Sequence, residues 1–497
     1  MPPGLEGRSK FGYSYISVRR AAPLKAGCIK GDTGLDPVVD SVIPKLQRRI
    51  AQIVAQERPP GLAIGIVRDQ ELVWHNGFGL ADIASGRPVD QHTLFLVASI
   101  SKTFTATAIM QLRDDRKLRL DDPLVRFIPE FSAVPNPFGS IEDVTLLRLL
   151  THRSGLMGES PTAHWSTTRF PTREEVLATI PKLQIAIEPD SAFKYSNLGF
   201  ALLGEVIARV SGRSFAEYVR SEILTPLGMD SSTFELTLAA RELMATGYLP
   251  HPYDDVANVA QVPETFGGYA AAAGLRSSVA DLAKWISLQF RTKAPKREGN
   301  QVLRGESLSA MHRVRWVEAD WSIGYALTWW ATRMRENIYH HHSGGDHGFL
   351  TFAAFSKPHR IGIIALSNGT GHFATARIAF DGLEMLVAAA SETDTPPPSK
   401  SVATPPELKR YLGGYTAVHF GGELRIEFRN GALVLSMRPT PGMPPPPPAP
   451  LIATREAHIF TVSKGRPAGE PLVFEFSDSG EVTGFSMGEM KYLKHRQ

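Results

Sequence analysis

Three short groups of residues in this chain have the types and order that an acyl transfer at a serine requires. Ser99 and Lys102 belong to Ser99-Ile100-Ser101-Lys102, and Tyr195 and Asn197 belong to Tyr195-Ser196-Asn197. The third group is His342-Ser343-Gly344-Gly345. A serine hydroxyl attacks a carbonyl carbon effectively only when a neighbouring base takes its proton, and a desolvated lysine or a tyrosinate can do so. The three groups therefore predict a serine nucleophile with two candidate bases.

Each pattern is short enough to occur elsewhere by chance, as in Ser191-Ala192-Phe193-Lys194 and His75-Asn76-Gly77. The context favours Ser99, because it follows the apolar run 94–98 and precedes a helical pattern from Thr103 to Leu112. Ser99 would then lie at a helix N-terminus with Lys102 on the same helical face. The N–H groups of the first turn would favour a developing oxyanion.

These motifs resemble those of the serine β-lactamases and penicillin-binding proteins, above all the branch of class C β-lactamases and family VIII carboxylesterases. The segments 117–123, 149–156 and 273–278 also resemble signatures of that superfamily. The resemblance runs from about Val39 to about Ala390. It implies an α/β (α+β) fold in which an antiparallel sheet is flanked by helices and joined to an all-helical lobe.

Carried onto the matching positions, the resemblance implies that Ser99 is the nucleophile, Lys102 the lysine beside it and Tyr195 a proton shuttle. Asn197 would orient the substrate. The backbone N–H groups of Ser99 and Gly345 would form the oxyanion hole, on the same segment as His342 and Gly344. This mechanism requires no metal and no organic cofactor. Whether Lys102 or Tyr195 is the acylation base stays open, because the two groups would titrate together.

His342 stands where the β-lactamases carry lysine and where esterases and D-amino-acid hydrolases of the superfamily often carry histidine or tryptophan. Histidine has an ordinary pKa of about 6.5 and is mostly neutral at pH 7, so it binds a substrate carboxylate less well than lysine does. We therefore predict a carboxylesterase-like serine hydrolase for short acyl chains, with at most weak β-lactam hydrolysis. The alternatives are a D-amino-acid peptide or amide hydrolase, a DD-peptidase-like enzyme, and a non-catalytic binding or scaffold protein.

Several elements must cooperate to bring these groups together. Strands are predicted at 62–67 and 71–74 and again at 325–330, 340–342, 349–355 and 361–367. Helical patterns dominate from Ser99 to about Leu288. The early and late strands must pair in one sheet, so the catalytic groups would meet between that sheet and the helical lobe.

The composition along the chain indicates four parts. Residues 1–37 are predicted to be a flexible leader and residues 38–390 the catalytic domain. Residues 391–406 are rich in proline and predict a linker. Residues 407–497 contain short strands between glycine-bearing turns, which predict a small β-barrel or sandwich. The basic leader also allows an organelle transit peptide.

The amino-acid composition indicates which kinds of binding partner this protein has. The 497 residues include 54 basic and 50 acidic residues, and this even balance does not indicate nucleic-acid binding. Cys28 is the single cysteine, which excludes an intramolecular disulfide. Because the sequence has no apolar run of about 18 residues and no secretory signal, we expect a soluble, cytoplasmic protein without a membrane partner. Its partner would be a small ester or amide substrate, and the oligomeric state stays open.

Two rival sites are less favoured. The cluster His340, His341, His342, Asp346 and His347 contains metal-binding residue types, but strand alternation would turn His341 away from its neighbours. Gly484-Phe485-Ser486-Met487-Gly488 matches the nucleophile elbow of α/β-hydrolases, yet no helix can follow it so close to the end of the chain. We therefore predict neither a metal site nor a nucleophilic Ser486.

Overall fold

The structure is a computed structural model that describes residues 6–8, 14–19, 36–162, 165, 167–250, 256–294, 296–370, 374–391, 405–418, 423–429, 432–437, 448–465 and 467–495. Most of the predicted leader and linker, and residues 444–447 of the proline run, lie outside these ranges.

The strands are numbered in chain order. They are β1 (Glu6–Arg8), β2 (Ser14–Arg19), β3 (Gly61–Arg68), β4 (Glu71–Asp82), β5 (Arg87–Pro88), β6 (Phe95–Leu96), β7 (Tyr248–Pro250), β8 (Val256–Val259), β9 (Arg276–Ser277), β10 (Trp316–Val317), β11 (Ile323–Tyr325), β12 (Trp330–Met334), β13 (Asn337–Asp346), β14 (Phe349–Ser356), β15 (Ile361–Ser367), β16 (Gly413–Ala417), β17 (Glu423–Arg429), β18 (Ala432–Met437), β19 (Ala449–Ala453), β20 (Ile459–Val462), β21 (Pro471–Phe476), β22 (Val482–Met487) and β23 (Met490–Lys494).

The α-helices are α1 (Pro37–Glu57), α2 (Ser101–Asp114), α3 (Leu146–Leu150), α4 (Arg173–Ala178), α5 (Asn197–Ser211), α6 (Phe215–Val219), α7 (Thr225–Leu227), α8 (Leu238–Leu243), α9 (Ala270–Ala273), α10 (Val279–Gln289), α11 (Gly305–His312) and α12 (Ala374–Ser391). Short 3₁₀ turns lie between them at Ala98–Ile100, Leu124–Arg126, Pro129–Ala133, Ile141–Asp143, Ile180–Lys182 and Gly267–Tyr269, and a further one, Pro406–Tyr411, precedes β16. One π-helical turn, Arg220–Leu224, lies between α6 and α7.

A nine-stranded antiparallel sheet forms the centre of the molecule, in the order β10-β11-β12-β13-β14-β15-β3-β4-β5. The early strand β3 pairs with the late strand β15, with Ile64 opposite Ala365. The predicted pairing of early and late strands in one sheet is therefore confirmed. One predicted strand, 325–330, is wrong: it is divided between β11 and β12, because Thr328 takes a φ of +71° in the turn that joins them.

Helices cover both faces of this sheet, which explains why its central strands are apolar throughout. On β3, Ile64 and Ile66 pack with α1 and α12, whereas Ala63 and Val67 face the helical lobe. Helix α10 packs on that second face, against β3 and β15. This alternation follows from the period of two residues in a strand.

The helical lobe is built around α2. Residues 101–112 of this helix are all buried, as expected for a helix enclosed by neighbours on every side. Helices α5 and α9 pack directly against it. The lobe is mainly helical, as predicted, and also contains the strand pair β6 and β9. A separate four-stranded sheet has the order β1-β2-β8-β7, and Tyr248 of β7 donates its backbone N–H to Asn368 O, just after β15.

The C-terminal strands form a closed eight-stranded barrel from β16 to β23. Closure comes from pairing of the first and last strands, with Thr416 opposite Leu493. Inward-facing residues such as Tyr415, Phe474 and Phe485 fill the barrel core. The predicted small β-domain is confirmed, and it is a barrel rather than a sandwich.

None of the helices in the described ranges is both long enough and apolar enough to cross a bilayer.

Candidate active site

Ser99 lies in the 3₁₀ turn Ala98–Ile100, which leads directly into α2. The residue before it, Ala98, has a φ of +43°, a left-handed conformation that costs a non-glycine residue roughly 1–2 kcal/mol. Hydrogen bonds hold this turn: Ser101 Oγ donates to Ala98 O at 2.6 Å and accepts from Leu275 N at 3.0 Å. Strain supported by surrounding contacts is frequent at active sites, because it fixes a side chain in one orientation.

Lys102 is fully buried, and its side-chain nitrogen contacts the candidate nucleophile. Lys102 Nζ lies 3.0 Å from Ser99 Oγ and donates to the backbone carbonyl of Ala272, on α9, at 2.7 Å. It also lies over the ring of Tyr195, 4.9 Å from its centroid. The helical spacing of three residues places Ser99 and Lys102 side by side, and the packing of α9 removes Lys102 from water.

Tyr195 precedes α5, whose first turn is capped by Ser196: Ser196 Oγ accepts from Gly199 N at 2.9 Å. The Tyr195 ring stacks on the His152 ring with centroids 4.2 Å apart. His152 Nδ1 accepts the backbone N–H of Ser196 at 3.1 Å. His152 therefore supports the position of Tyr195.

Asn197 begins α5 and is buried. Its Nδ2 donates to Glu159 Oε1 at 2.6 Å, while Asn197 Oδ1 has no hydrogen-bond partner among the described residues. Glu159 was not among the predicted site residues, because no motif marks it. The structure places its carboxylate beside the second motif and in the wall of the cavity.

His342, Gly344 and Gly345 lie on β13, which pairs with β14. A Cβ atom at position 344 would lie 2.0 Å from the carbonyl oxygen of Val97. Only glycine allows β13 to approach the segment that leads to Ser99 this closely. Gly345 is exposed at the cavity, where the predicted oxyanion hole requires a backbone N–H.

His342 is buried, and Nδ1 lies 2.7 Å from the backbone carbonyl of Ser343. Because a carbonyl oxygen only accepts, Nδ1 carries the proton and donates it, and Nε2 is left as an acceptor. Burial, and then the charge of Lys102, lower the pKa of His342 to about 3. The third motif is therefore neutral at physiological pH.

One cavity of about 380 Å³ brings the motifs together. Ser99, Tyr195, His342 and Gly345 line it, whereas Lys102, Asn197 and Gly344 are buried. Two tryptophans, Trp165 and Trp330, also line this cavity. Trp329 is buried in the core and Trp321 is 66% exposed, so neither of them takes part.

The barrel supplies the opposite side of the cavity. Its lining residues include Leu435, Met437, Met487, Met490 and Tyr492. The sequence motifs did not predict this contribution, because all of them lie before the linker.

The residues of the two less favoured sites, the histidine cluster and Ser486, lie on, or directly after, regular strands. Each neighbouring histidine has its own hydrogen-bond partner: His340 Nε2 lies 2.8 Å from His312 O, and His341 Nε2 lies 2.8 Å from Thr332 Oγ1. Within the described part of the chain, no group of three or more histidine, cysteine, aspartate or glutamate residues is arranged to hold a metal ion. Ser486 lies on β22, which pairs with β21 and β23 and is not followed by a helix.

The sequence model of the family described as Beta-lactamase matches residues 46–384, more than half of the chain. The chain belongs to the β-lactamase family. This family membership agrees with the resemblance drawn from the three motifs and with the antiparallel sheet and helical lobe. Members of this family are generally serine hydrolases.

Curated relatives of this β-lactamase-family chain are distant. Protein flp of Staphylococcus aureus (strain MW2) is 26% identical over 309 residues, which cover 62% of this chain and 59% of flp. The unguisins hydrolase ungD of Aspergillus violaceofuscus is 28% identical over 257 residues, 50% of this chain and 45% of that protein. The aligned region thus spans less than two thirds of either relative.

Solved structures share the fold over nearly the whole chain. The octameric penicillin-binding protein homologue from Pyrococcus abyssi superimposes with a TM-score of 0.59 at 24% identity, covering 91% of this chain and all of that one. The crystal structure of SurE gives the same TM-score at 22% identity and covers 92% of this chain. At these identities the similarity shows the fold alone.

Proposed function

We propose that this member of the β-lactamase family hydrolyses uncharged carboxylic esters through an acyl-enzyme on Ser99. The observation that carries the proposal is the contact of 3.0 Å between Ser99 Oγ and the fully buried Lys102 Nζ, inside a cavity whose third-motif residue is neutral. A neutral His342 with Nε2 as an acceptor offers no positive charge to a substrate carboxylate. This arrangement supports esters over β-lactams as substrates.

In the first step, Ser99 Oγ forms a bond to the carbonyl carbon of the ester while its proton passes to the Lys102 and Tyr195 pair. For Lys102 to accept, its amine must be neutral, and it can then keep an N–H directed at Ala272 O. The tetrahedral intermediate breaks its bond to the alkoxide, which leaves as the alcohol with that proton. The acyl group stays on Ser99.

In the second step, water adds to the acyl carbon and gives one proton to the same pair. The bond to Ser99 Oγ then breaks, Ser99 regains the proton and the carboxylic acid leaves. The backbone N–H groups of Ser99 and Gly345 would stabilise the oxyanion in both steps, and the close approach of β13 at Gly344 supports this role.

The apolar walls of the cavity favour an apolar acyl group. Phe193 and Trp330 lie on the side of the catalytic domain, and Met487 and Met490 lie on the side of the barrel. Methionine side chains adapt their shape to an unbranched chain more readily than branched ones do. A short aliphatic acyl group is the substrate that this lining supports best.

The test compares the initial rates of p-nitrophenyl butyrate hydrolysis by the wild type, Ser99→Ala and Ser486→Ala. We expect Ser99→Ala to lose at least about 10³-fold in activity, and Ser486→Ala to retain the wild-type rate. Equal activity in Ser99→Ala would overturn the assignment of the nucleophile. No turnover by the wild type would exclude this ester class and favour amides or a non-catalytic role.

A second candidate function is the hydrolysis of D-amino-acid amides. Four glutamates line the same cavity: Glu159, Glu318, Glu470 and Glu489. Glu470 is paired with Lys194, and the other three would suit the ammonium group of a free amino terminus. Rates with D-alanine and L-alanine p-nitroanilides, measured for the wild type and Glu159→Gln, would test it. Turnover of the D-isomer that falls in Glu159→Gln would support this candidate over the ester hydrolase.

A further inference from the structure

Lys194, which immediately precedes Tyr195, forms an ion pair with a residue of the barrel. Lys194 Nζ lies 2.6 Å from Glu470 Oε1, and the side chains of the two residues are 0% and 25% exposed, respectively. Glu470 directly precedes β21. A lysine is rarely so completely buried unless it is paired, so this contact is a specific feature of the interface between the domains.

The same carboxylate oxygen contacts a second segment of the catalytic domain. Glu470 Oε1 accepts the backbone N–H of Gly158 at 3.2 Å. The backbone carbonyl of Gly158 in turn accepts the N–H of Leu198 at 3.0 Å, and the backbone N–H of Lys194 donates to the carbonyl of His152 at 2.8 Å. Glu470 Oε1 therefore contacts Lys194, just before the second motif, and Gly158, which is bonded to the residue just after it.

The loop that carries Glu470 is closely seated on the catalytic domain. Gly469 has a φ of +77°, and a Cβ atom there would lie 2.6 Å from Ile187 Cγ2 and 3.0 Å from Ala186 O. Within the barrel, Gly469 N donates to Val462 O at 2.9 Å. Because the loop is fixed to the barrel and fits against the catalytic domain, Glu470 reaches Lys194 from a defined position.

We propose that Glu470 is a positioning residue of the catalytic site, which acts through Lys194 and Gly158 on Tyr195 and Asn197. Lys194 fixes the backbone next to Tyr195, and Gly158 fixes the backbone next to Glu159, the partner of Asn197. The barrel thus completes the second motif in addition to forming a wall of the cavity. Removal of one member of a buried ion pair is strongly unfavourable, so this coupling depends on both domains.

The kinetic part of this proposal rests on the proposed ester hydrolysis, whereas the structural part does not. The experiment therefore uses two readouts on the full chain: hydrogen exchange of the segments 156–160 and 193–198, and the rate of p-nitrophenyl acetate hydrolysis. The acetyl ester has the shortest acyl chain of this ester series and is chosen to keep contact with the barrel wall to a minimum. The variants are Glu470→Gln, Glu470→Asp and the control Glu475→Gln, which removes a barrel ion pair with Lys491.

We expect Glu470→Gln to speed hydrogen exchange in both segments and to lower kcat for the acetyl ester at least about tenfold, with KM nearly unchanged. Glu475→Gln should match the wild type in both readouts. Glu470→Asp keeps the charge with a shorter reach and should give intermediate values, which keeps the test decisive if Glu470→Gln does not fold.

Two results separate the failures of the two proposals. Unchanged exchange in the segment 193–198 of Glu470→Gln would overturn the role of Glu470, whatever the enzyme hydrolyses. Faster exchange in Glu470→Gln, together with no turnover by the wild type, would support the positioning role and overturn the ester hydrolase. A change in KM for the acetyl ester with kcat unchanged would also overturn the positioning role, because it would make Glu470 part of the cavity wall only.

Discussion

His342 donates its Nδ1 proton to the backbone carbonyl of Ser343 at 2.7 Å, and this bond sets the chemistry of the third motif. With Nδ1 engaged, Nε2 is an acceptor, and it has no hydrogen-bond partner among the described residues. A position that carries a cationic lysine in the β-lactamases is here a buried, neutral acceptor. The strand geometry of β13 thus determines how the substitution of histidine for lysine acts.

The first prediction concerns the pH dependence of ester hydrolysis. Because the pKa of His342 is lowered to about 3, His342 stays neutral from pH 5 to pH 8 and contributes no limb to the pH profile of kcat/KM. His342→Gln should therefore leave the apparent pKa values of that profile unchanged, even if the absolute rate falls. An acid limb near pH 6.5 that disappears in His342→Gln would contradict this prediction.

The second prediction tests the charge at the same position. His342→Lys should increase the ratio of kcat/KM for a carboxylate-bearing ester to that for its neutral methyl analogue by about tenfold, which corresponds to about 1.4 kcal/mol. Nitrocefin hydrolysis, expected to be weak in the wild type, should increase in parallel. If the ratio of the two kcat/KM values stays constant in a variant that circular dichroism shows to be folded, the residue at position 342 does not discriminate between substrates by charge.

The third prediction concerns Lys102 as a proton acceptor. Lys102→Arg keeps a positive charge but cannot give up its proton near neutral pH, so it should lose about 10²–10⁴-fold in kcat, as general-base catalysis requires. The matched control is Lys117→Arg at an exposed position, which should keep full activity. If Lys102→Arg retained activity, Lys102 would act through its charge, and Tyr195 would be the base.

The fourth prediction concerns the contact between β13 and the nucleophile segment. In Gly344→Ala the new Cβ would lie 2.0 Å from Val97 O, so the strand must move away from Ser99. We expect the free energy of unfolding to decrease by roughly 1–3 kcal/mol. We also expect kcat/KM to fall by a factor that, converted to an activation free energy, is larger than this loss of stability. Gly139→Ala is a suitable control, because its nearest neighbour is the side chain of Asp143 on an exposed turn.

The fifth prediction concerns the stability of the catalytic domain in acid. Burial lowers the pKa of His340 to about 4 and those of His341 and His342 to about 3, and holds that of His312 well below its usual range. Between about pH 6.5 and pH 4 the unfolded chain binds more protons than the folded chain. The free energy of unfolding should therefore decrease as the pH is lowered from about 6.5 to 4, by at most about 1.4 kcal/mol per pH unit for each histidine.

Tryptophan fluorescence during urea unfolding at several pH values measures this effect. The chain has seven tryptophans, and all of them precede residue 331, so the signal reports the catalytic domain rather than the barrel. His340→Gln should reduce the slope of the free energy of unfolding against pH by the equivalent of about one proton. His92→Gln, at an exposed position, should leave that slope unchanged. An unchanged slope in His340→Gln would show that His340 also titrates in the folded state.

Some elements of the site follow from local geometry and were accessible from the sequence. Ser99 and Lys102 are three residues apart at a helix start, and any α-helix brings such residues together. The apolar strands β3, β14 and β15 require burial on both faces, which predicts the layered fold. The predicted strand at 340–342 included His342, and the structure extends this strand through Gly345 to Asp346.

Only the tertiary structure decided which residues far apart in the chain come into contact. Glu470 is 276 residues from Lys194, and no motif joins them. Glu159 meets Asn197 only because the loop before it packs on the start of α5. Such pairs depend on how domains and loops dock, which local spacing does not encode. The sequence by itself determined which residue types form the candidate site, because local spacing brings them together. Three-dimensional packing determined the neutral state of His342, the supports of the site and the far wall of the cavity.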